Sequence, residues 1–369
     1  MRHYNIAVMP ADGIGPEVIT EGVAVLRAVA ELHGGLTFET QNYDWGSERY
    51  LRHGAMMHPD ALKVLEAGGF NAILVGPVGD PRVADHITLW GMLLPIRQGF
   101  DQYINLRPIR LLPGVAGPLA GKGPTDIDVV CVRENCEGEY CGVGGRVYQG
   151  TPQESAVQAA VFTYHGTERV MRYAFEYARR HGRKKVTSAT KSNAVNYSMV
   201  FWDDVFREVS AKYPDVQHEQ QLIDSLCARF VTMPESLDVV VASNLFGDIV
   251  TDLGAAIAGS MGLAPSANLN PEGRYPSLFQ AIHGSAPGLA GKGIADPVAT
   301  IWSVSMMLDH LGEAELGAAV MGAVESVIAG GKVRTPDLGA ERYDKTDGAG
   351  DHCCPAEAGD GLLIAAARL

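Results

Sequence analysis

Asp248 and Asp252 stand four residues apart in SNLFGDIVTDLGAAIAG, directly after the apolar run LDVVVA (237–242). On a helix, positions i and i+4 share a face, so two carboxylates there repel unless a positive charge neutralises them. Their neighbours Ile249, Val250, Leu253 and Ala256 are apolar, and no Lys or Arg lies nearby in the sequence. A hard divalent cation with oxygen ligands, Mg2+ or Mn2+, would resolve the repulsion. Capping of the helix by the aspartates is the competing reading. Arginines offer a second chemistry. Arg97, Arg107 and Arg110 lie in and around FDQYINLRP (100–108), and Arg133 ends DIDVVCVR (126–133). Guanidinium forks bind carboxylates bidentately, so arginines at strand ends can clamp a di- or tricarboxylic acid. Ordinary surface ion pairs fit the spacing as well. Lys191 in TSATKSNAVNY sits at a strand-to-helix turn, as a general base beside a cation or as an exposed loop lysine. Tyr140 in RENCEGEYC follows a strand, as a proton donor or a core tyrosine. IHGSAPGLAGKGIADP (282–297) is rich in small residues whose amides can approach a phosphate or an adenine ring, or simply pack as a loop. It is not G-x-G-x-x-G between a strand and a helix, so it is no Rossmann fingerprint.

Strand-like and helix-like segments alternate along the chain, which sets the fold class as α/β. Strands are read at 4–9, 36–43, 71–75, 126–133, 185–190 and 237–242. Helices are expected from Pro16 toward Gly34-Gly35 and over 59–67, 167–180, 193–210, 248–258 and 297–311, the last with Asp296 as N-cap. The segments 109–123 and 259–276 are rich in proline and glycine and read as two domain crossings. Two crossings make one domain discontinuous: 1–102 plus 259–369 as the cofactor side, and 103–258 as the dimerisation and substrate/metal domain.

The chain has 369 residues, 46% of them apolar, and a net charge of −13. That length suggests about two domains. The charge disfavours nucleic acid and anionic membranes, which need clustered cations. No apolar stretch is long enough to span a bilayer. The opening MRHYNIAVMP has no secretory core, and six cysteines are no disulfide scaffold, so a cytoplasmic location is expected. Cys131, Cys136 and Cys141 fit no zinc spacing. His352-Cys353-Cys354, in a polar, glycine-rich tail, offers soft ligands but not the four of a zinc site.

Taken together, ADGIGPE, NLRP, REN-x-EGEY, TSATKSN, SNLFGDI-x-TD-LG and HGSAP…GKGIADP resemble the β-decarboxylating dehydrogenase family, over roughly Ile6 to Leu338. Its members include isopropylmalate, isocitrate, tartrate and D-malate dehydrogenases. Trp90-Gly91, then FDQYINLRP, is similar to the tartrate and D-malate branch. The resemblance implies an isopropylmalate-dehydrogenase-like, two-domain fold that is not a Rossmann fold, with the active site in the interdomain cleft of a homodimer. It implies that Arg97, Arg107 and Arg133 clamp substrate carboxylates, with Trp90, Leu93 and Leu94 beside the variable group. Asp248 and Asp252 become metal ligands, completed by Asp224 from the second subunit. Lys191, also from the second subunit, becomes the general base, and Tyr140 the acid that protonates the enol carbon. His283, Gly284, Ser285, Ala286 and Asp296 become the cofactor-binding residues. The implied reaction is NAD- and Mg2+- or Mn2+-dependent oxidative decarboxylation of D-malate to pyruvate and CO2, or tartrate oxidation, with K+ as a further cation. 3-Isopropylmalate dehydrogenase is the alternative enzyme, and a non-catalytic binding or regulatory paralogue the alternative of another class. The chain departs from the family pattern in three places. Cys136 and Cys141 replace hydroxyl residues, the tail lacks the usual terminal helix pattern, and Gly288 stands where NAD-using members place a ribose-binding Asp.

Overall fold

A computed structural model describes residues 1–332 and 334–339. The strands are β1 (Arg2–Met9), β2 (Leu36–Asn42), β3 (Ala72–Val75), β4 (Ile104–Arg110), β5 (Asp128–Glu134), β6 (Gly144–Val147), β7 (Ser155–Gln158), β8 (Lys185–Thr190), β9 (Gln217–Leu222), β10 (Val239–Ala242), β11 (Pro265–Leu269) and β12 (Ser277–Ala281). The α-helices are α1 (Gly15–His33), α2 (Ser47–His53), α3 (Ala61–Ala67), α4 (Asp85–Thr88), α5 (Leu94–Gly99), α6 (Tyr164–Arg180), α7 (Ser198–Ser210), α8 (Ile223–Thr232), α9 (Asn244–Ile257), α10 (Val298–His310) and α11 (Ala314–Gly330). Ten strands form one sheet in the order β2-β1-β3-β12-β11-β4-β5-β10-β8-β9. The outer strands pair in parallel, whereas β12, β11, β4 and β5 are successively antiparallel. This mixed α/β sheet is not the all-parallel 3-2-1-4-5-6 dinucleotide fold.

The apolar runs explain the sheet. Every residue of β3 (AILV) and β10 (VVVA) is buried, as expected for parallel strands covered on both faces. Ile6 and Val8 of β1 pack into one cluster with α1 and α10, while Ala7 and Met9 face another that includes Ile73 and Ile96. Pro16 starts α1, and Gly34 ends it in the left-handed conformation, its N–H donating to Ala30 O. Thr163 caps α6 by accepting from Gly166 N.

Some boundaries differ from the sequence reading. The 193–210 helix begins at Ser198, after turns at 192–197. The helix expected from 248 begins at Asn244, so Asp248 lies past the first turn and caps nothing. The 259–276 crossing contains the wholly buried strand β11. The hairpin β6–β7 stands outside the main sheet with every residue exposed. Val147, Tyr148 and Val157 on and beside it are more than half exposed. Among the described residues, no helix is long and apolar enough to cross a membrane. The His352-Cys353-Cys354 reading lies outside the described residues.

Candidate active site

The antiparallel middle of the sheet brings the arginines together. Arg107 and Arg133 lie on neighbouring strands β4 and β5, and Arg97 on α5; all three are buried. Arg107 and Arg133 meet Asp248 on α9. Arg133 Nη1 pairs closely with Asp248 Oδ1, and Arg107 Nη2 approaches the same oxygen at 3.2 Å. Asp248 Oδ2 accepts the Tyr140 hydroxyl at 3.0 Å. Burial alone would raise the Asp248 carboxyl, but Arg133 and Arg107 overcome it and hold the group below the usual range. No Lys or Arg lies near Asp248 in the sequence, yet two arginines neutralise it in the fold. Its charge partners come from strands more than a hundred residues away. Burial and Asp248 raise the Tyr140 hydroxyl, so it keeps its proton.

Arg97 differs from its two neighbours. Among the described residues it forms no ion pair, and its Nε is buried without a hydrogen-bond partner. Burial, then Arg133 and Arg107, pushes it down to about 9. Burial and Arg133 likewise bring Arg107 to about 10. Asp252 shares the α9 face, with its side chain 63% exposed and Arg107 Nη1 at 4.0 Å.

Several supporting residues escaped the sequence reading. Asn244 Oδ1 accepts from Arg133 Nε at 3.1 Å and Nη2 at 2.7 Å. Thr251 Oγ1 accepts from Arg107 Nη1 at 2.5 Å. Gln98 Nε2 donates to Tyr140 O at 3.1 Å. A polar stripe at 244, 248, 251 and 252, one face of a helix, is the signal that marks the first two. Trp90 is 40% exposed, and its ring lies where a Cβ on Gly142 would clash, at 2.8 Å. Leu93 and Leu94 are 7% and 2% exposed and pack in the core of this chain.

Lys191 follows β8 directly, and Asp224 lies in the first turn of α8. Lys191 Nζ pairs with Asp224 Oδ2 at 2.9 Å, which holds that carboxyl low. Neither bonds to the Asp248 group within this chain. Among the described residues, no three His, Cys, Asp or Glu side chains gather to hold a metal.

The 282–297 loop packs on the turn after β1. Ile14 N donates to Ser285 O at 2.9 Å, and a Cβ on Gly13 would lie 1.9 Å from that oxygen, so only glycine fits there. Asp12 accepts from Ser47 N, Ser47 Oγ and Gly79 N at 2.7–2.8 Å, tying three loops together. His283 Nδ1 lies 3.0 Å from the exposed Gly284's O, while its buried Nε2 has no partner. Ala286 is held at φ +40°. Asp296 is buried and hydrogen-bonded within the chain. It is 7% exposed, accepts from Val298 N at 2.8 Å and Thr335 Oγ1 at 3.2 Å, and is pushed up to about 8 by burial and then by Asp337. A separate cavity of about 490 Å³ along α6 contains none of the candidate residues. Its Arg172 and Arg179 already pair with Glu168 and Asp215.

The isocitrate/isopropylmalate dehydrogenase family profile matches residues 5–353. The chain is 50% identical over 367 residues to a probable tartrate dehydrogenase/decarboxylase of Agrobacterium vitis, covering 100% of both chains. It is 53% identical over 346 residues to a D-malate dehydrogenase (decarboxylating) of Escherichia coli strain K12, covering 92% of this chain and 94% of that one. The crystal structure of isocitrate dehydrogenase from Methylococcus capsulatus superimposes with a TM-score of 0.85 at 32% identity, covering 99% of each chain.

Proposed function

The chain belongs to the isocitrate/isopropylmalate dehydrogenase family and is a decarboxylating dehydrogenase, and we propose that it oxidatively decarboxylates a small 2-hydroxy diacid, D-malate or tartrate, with NAD and Mg2+ or Mn2+. One observation carries the substrate class. Three buried guanidiniums converge; among the described residues Asp248 is in ion contact with Arg107 and Arg133, the exposed Asp252 reaches Arg107 at 4.0 Å, and Arg97 has no carboxylate partner. Buried charge without a partner is costly, so the cluster favours an incoming dianion. The core positions of Leu93 and Leu94 and the bulk of Trp90 favour a small C3 substituent over the isopropyl group.

The donor set fits a hard divalent cation: Asp252 is exposed, and Asp248 adds carboxylate oxygen on the same helical face. Asp224 of a second subunit is the proposed third ligand. The orphaned Nε2 of His283 suits a polar group of the dinucleotide's adenosine, with Gly284, Ser285 and Ala286 shaping the loop. When bound, these groups supply a hydride acceptor and Lewis-acid polarisation of the substrate's 2-oxygen. Arg97, Arg107 and Arg133 bind and orient the carboxylates. Lys191 of the second subunit takes the hydroxyl proton as the alcohol is oxidised. After CO2 leaves, Tyr140 delivers its O–H proton to C3.

A homodimer is part of this reading. The Lys191–Asp224 pair lies apart from the cluster it must serve, and the exposed apolar hairpin β6–β7 suits a second copy. So is the division into 1–102 plus 259–369 and 103–258, together with a cytoplasmic location. The test is turnover of D-malate, the tartrate isomers and 3-isopropylmalate with NAD, Mn2+ and added K+. Faster turnover of 3-isopropylmalate would favour the alternative enzyme, and no turnover of any would favour a non-catalytic paralogue.

A further inference from the structure

A row of buried amides lies beneath the arginine cluster. Asn105 and Asn268 expose no surface, and Asn135 only 1%. Asn105 stands opposite Arg133 across β4 and β5, and opposite Asn268 across β4 and β11. Its Nδ2 donates to Asn268 Oδ1 at 3.0 Å and to Ala267 O at 3.3 Å. Asn268 Oδ1 also accepts from Asn135 Nδ2 at 3.0 Å, and Asn268 Nδ2 donates to Leu278 O at 3.3 Å. These bonds fix the polarity of the row. With both Nδ2 hydrogens of Asn105 engaged, only its Oδ1 is left for Arg107, and it accepts from Nε at 2.6 Å. A flipped amide would set donor against donor. From the other side, Thr251 Oγ1 accepts from Arg107 Nη1 and donates onward to Gly247 O at 2.7 Å. The guanidinium is thus held at Nε and Nη1, with Nη2 toward Asp248.

We infer that Asn105 is a positioning residue for substrate binding: the amide row sets the plane of Arg107, and with it the direction in which the remaining N–H groups of Nη1 and Nη2 can meet an incoming carboxylate. This rests on the reading of Arg107 as a carboxylate-binding group. A guanidinium fork is directional, so its plane decides whether it can bind in two places at once. A neutral amide holds that plane without cancelling the charge, which a carboxylate at the same place would do. Asn268 acts one step further back, by orienting Asn105.

The test is steady-state kinetics and D-malate calorimetry on the full-length enzyme, with Asn105→Ala, Thr251→Val and Arg107→Ala, singly and combined. Losing a hydrogen bond to a charged group should raise the KM for D-malate about 10- to 100-fold, with the KM for NAD unmoved. In the Arg107→Ala background, Asn105→Ala should add no further rise. Unchanged KM in the folded variants, or a rise that adds to that of Arg107→Ala, overturns the inference and leaves Asn105 a strand residue. If Asn105→Ala does not fold, Thr251→Val, which frees the same guanidinium at nearly constant volume, decides by the same criteria. A wild type that neither binds nor turns over D-malate or tartrate overturns the functional reading, and this inference with it, before any variant is measured.

Discussion

The arginine cluster and the 282–297 loop are built on opposite principles. Around Asp248, the bonds run through Arg133 and Arg107 on central strands, Asn244 and Thr251 on α9, and Tyr140 in the turn after β5. In the loop, Gly284 and Gly288 are exposed, a Cβ on Gly288 would meet nothing within 4 Å, and His283 keeps an unused Nε2. The first region is organised before any ligand arrives, and the second leaves its polar groups for one. Preorganised charge favours discrimination by shape and sign, whereas an open loop pays part of its ordering on binding.

Four variants break or sharpen that contrast. Lys191→Ala should have the largest effect, a loss of about 10²–10⁴ in turnover, with Mn2+ binding retained; near-normal rates would remove the lysine from the mechanism. Asp248→Asn should undo the preorganisation itself, since Arg133 and Arg107 lose their anion. The Mn2+ needed for half-maximal rate should rise by about 10–100-fold with the fold intact by circular dichroism. Unaltered metal affinity by calorimetry would make the carboxylate purely structural.

On the open side, Gly288→Asp has room for its side chain and should offer the ribose hydroxyls an acceptor. A charge-assisted bond is worth about 1.5–3 kcal/mol, so the KM for NAD should fall about tenfold or more and the gap to NADP should widen. If both values stay put, the ribose binds elsewhere. The smallest effect concerns Asp296 beneath the loop. Its folded value of about 8 lies above the ordinary 3.8. The stability it gives is therefore complete below the unfolded value and is lost as pH rises through about 8. Asp296→Asn should melt a few degrees above wild type at about pH 9, with the difference closing on acidification toward about pH 4. A constant difference across that range would show that the carboxyl does not titrate on unfolding.

Much of the scaffold was readable from local pattern. The strand 185–190 has the bounds read from the sequence, and Gly34 closes α1 where the glycine pair stood. Beta strands with weaker patterns were not readable. The QHEQQL of β9 is polar because it is an edge strand, and β11 hid in a segment whose glycines and prolines read as a crossing. The site was legible in its residue types and not in its charges. Asp248 has no cation near it in sequence because its partners arrive through the pairing of β4 with β5, which spacing along the chain cannot reveal. The same holds for Leu93 and Leu94, whose burial depends on the elements that pack over them.

The central strands also set a timetable for folding. β3 lies between β1 and β12, and β4 between β5 and β11, so β3 lacks one neighbour until the chain has been made to residue 281, and β4 until residue 269. Ala267 of β11 pairs with Leu106 of β4, roughly 160 residues earlier. During synthesis at about 5–20 residues per second, the apolar AILV of β3 would wait roughly 10–40 s for β12. Unpaired apolar edges of this kind are templates for intermolecular strand pairing. Nascent chains ending between β3 and β12 should therefore be aggregation-prone and depend on chaperones, while chains extended past β12 should not.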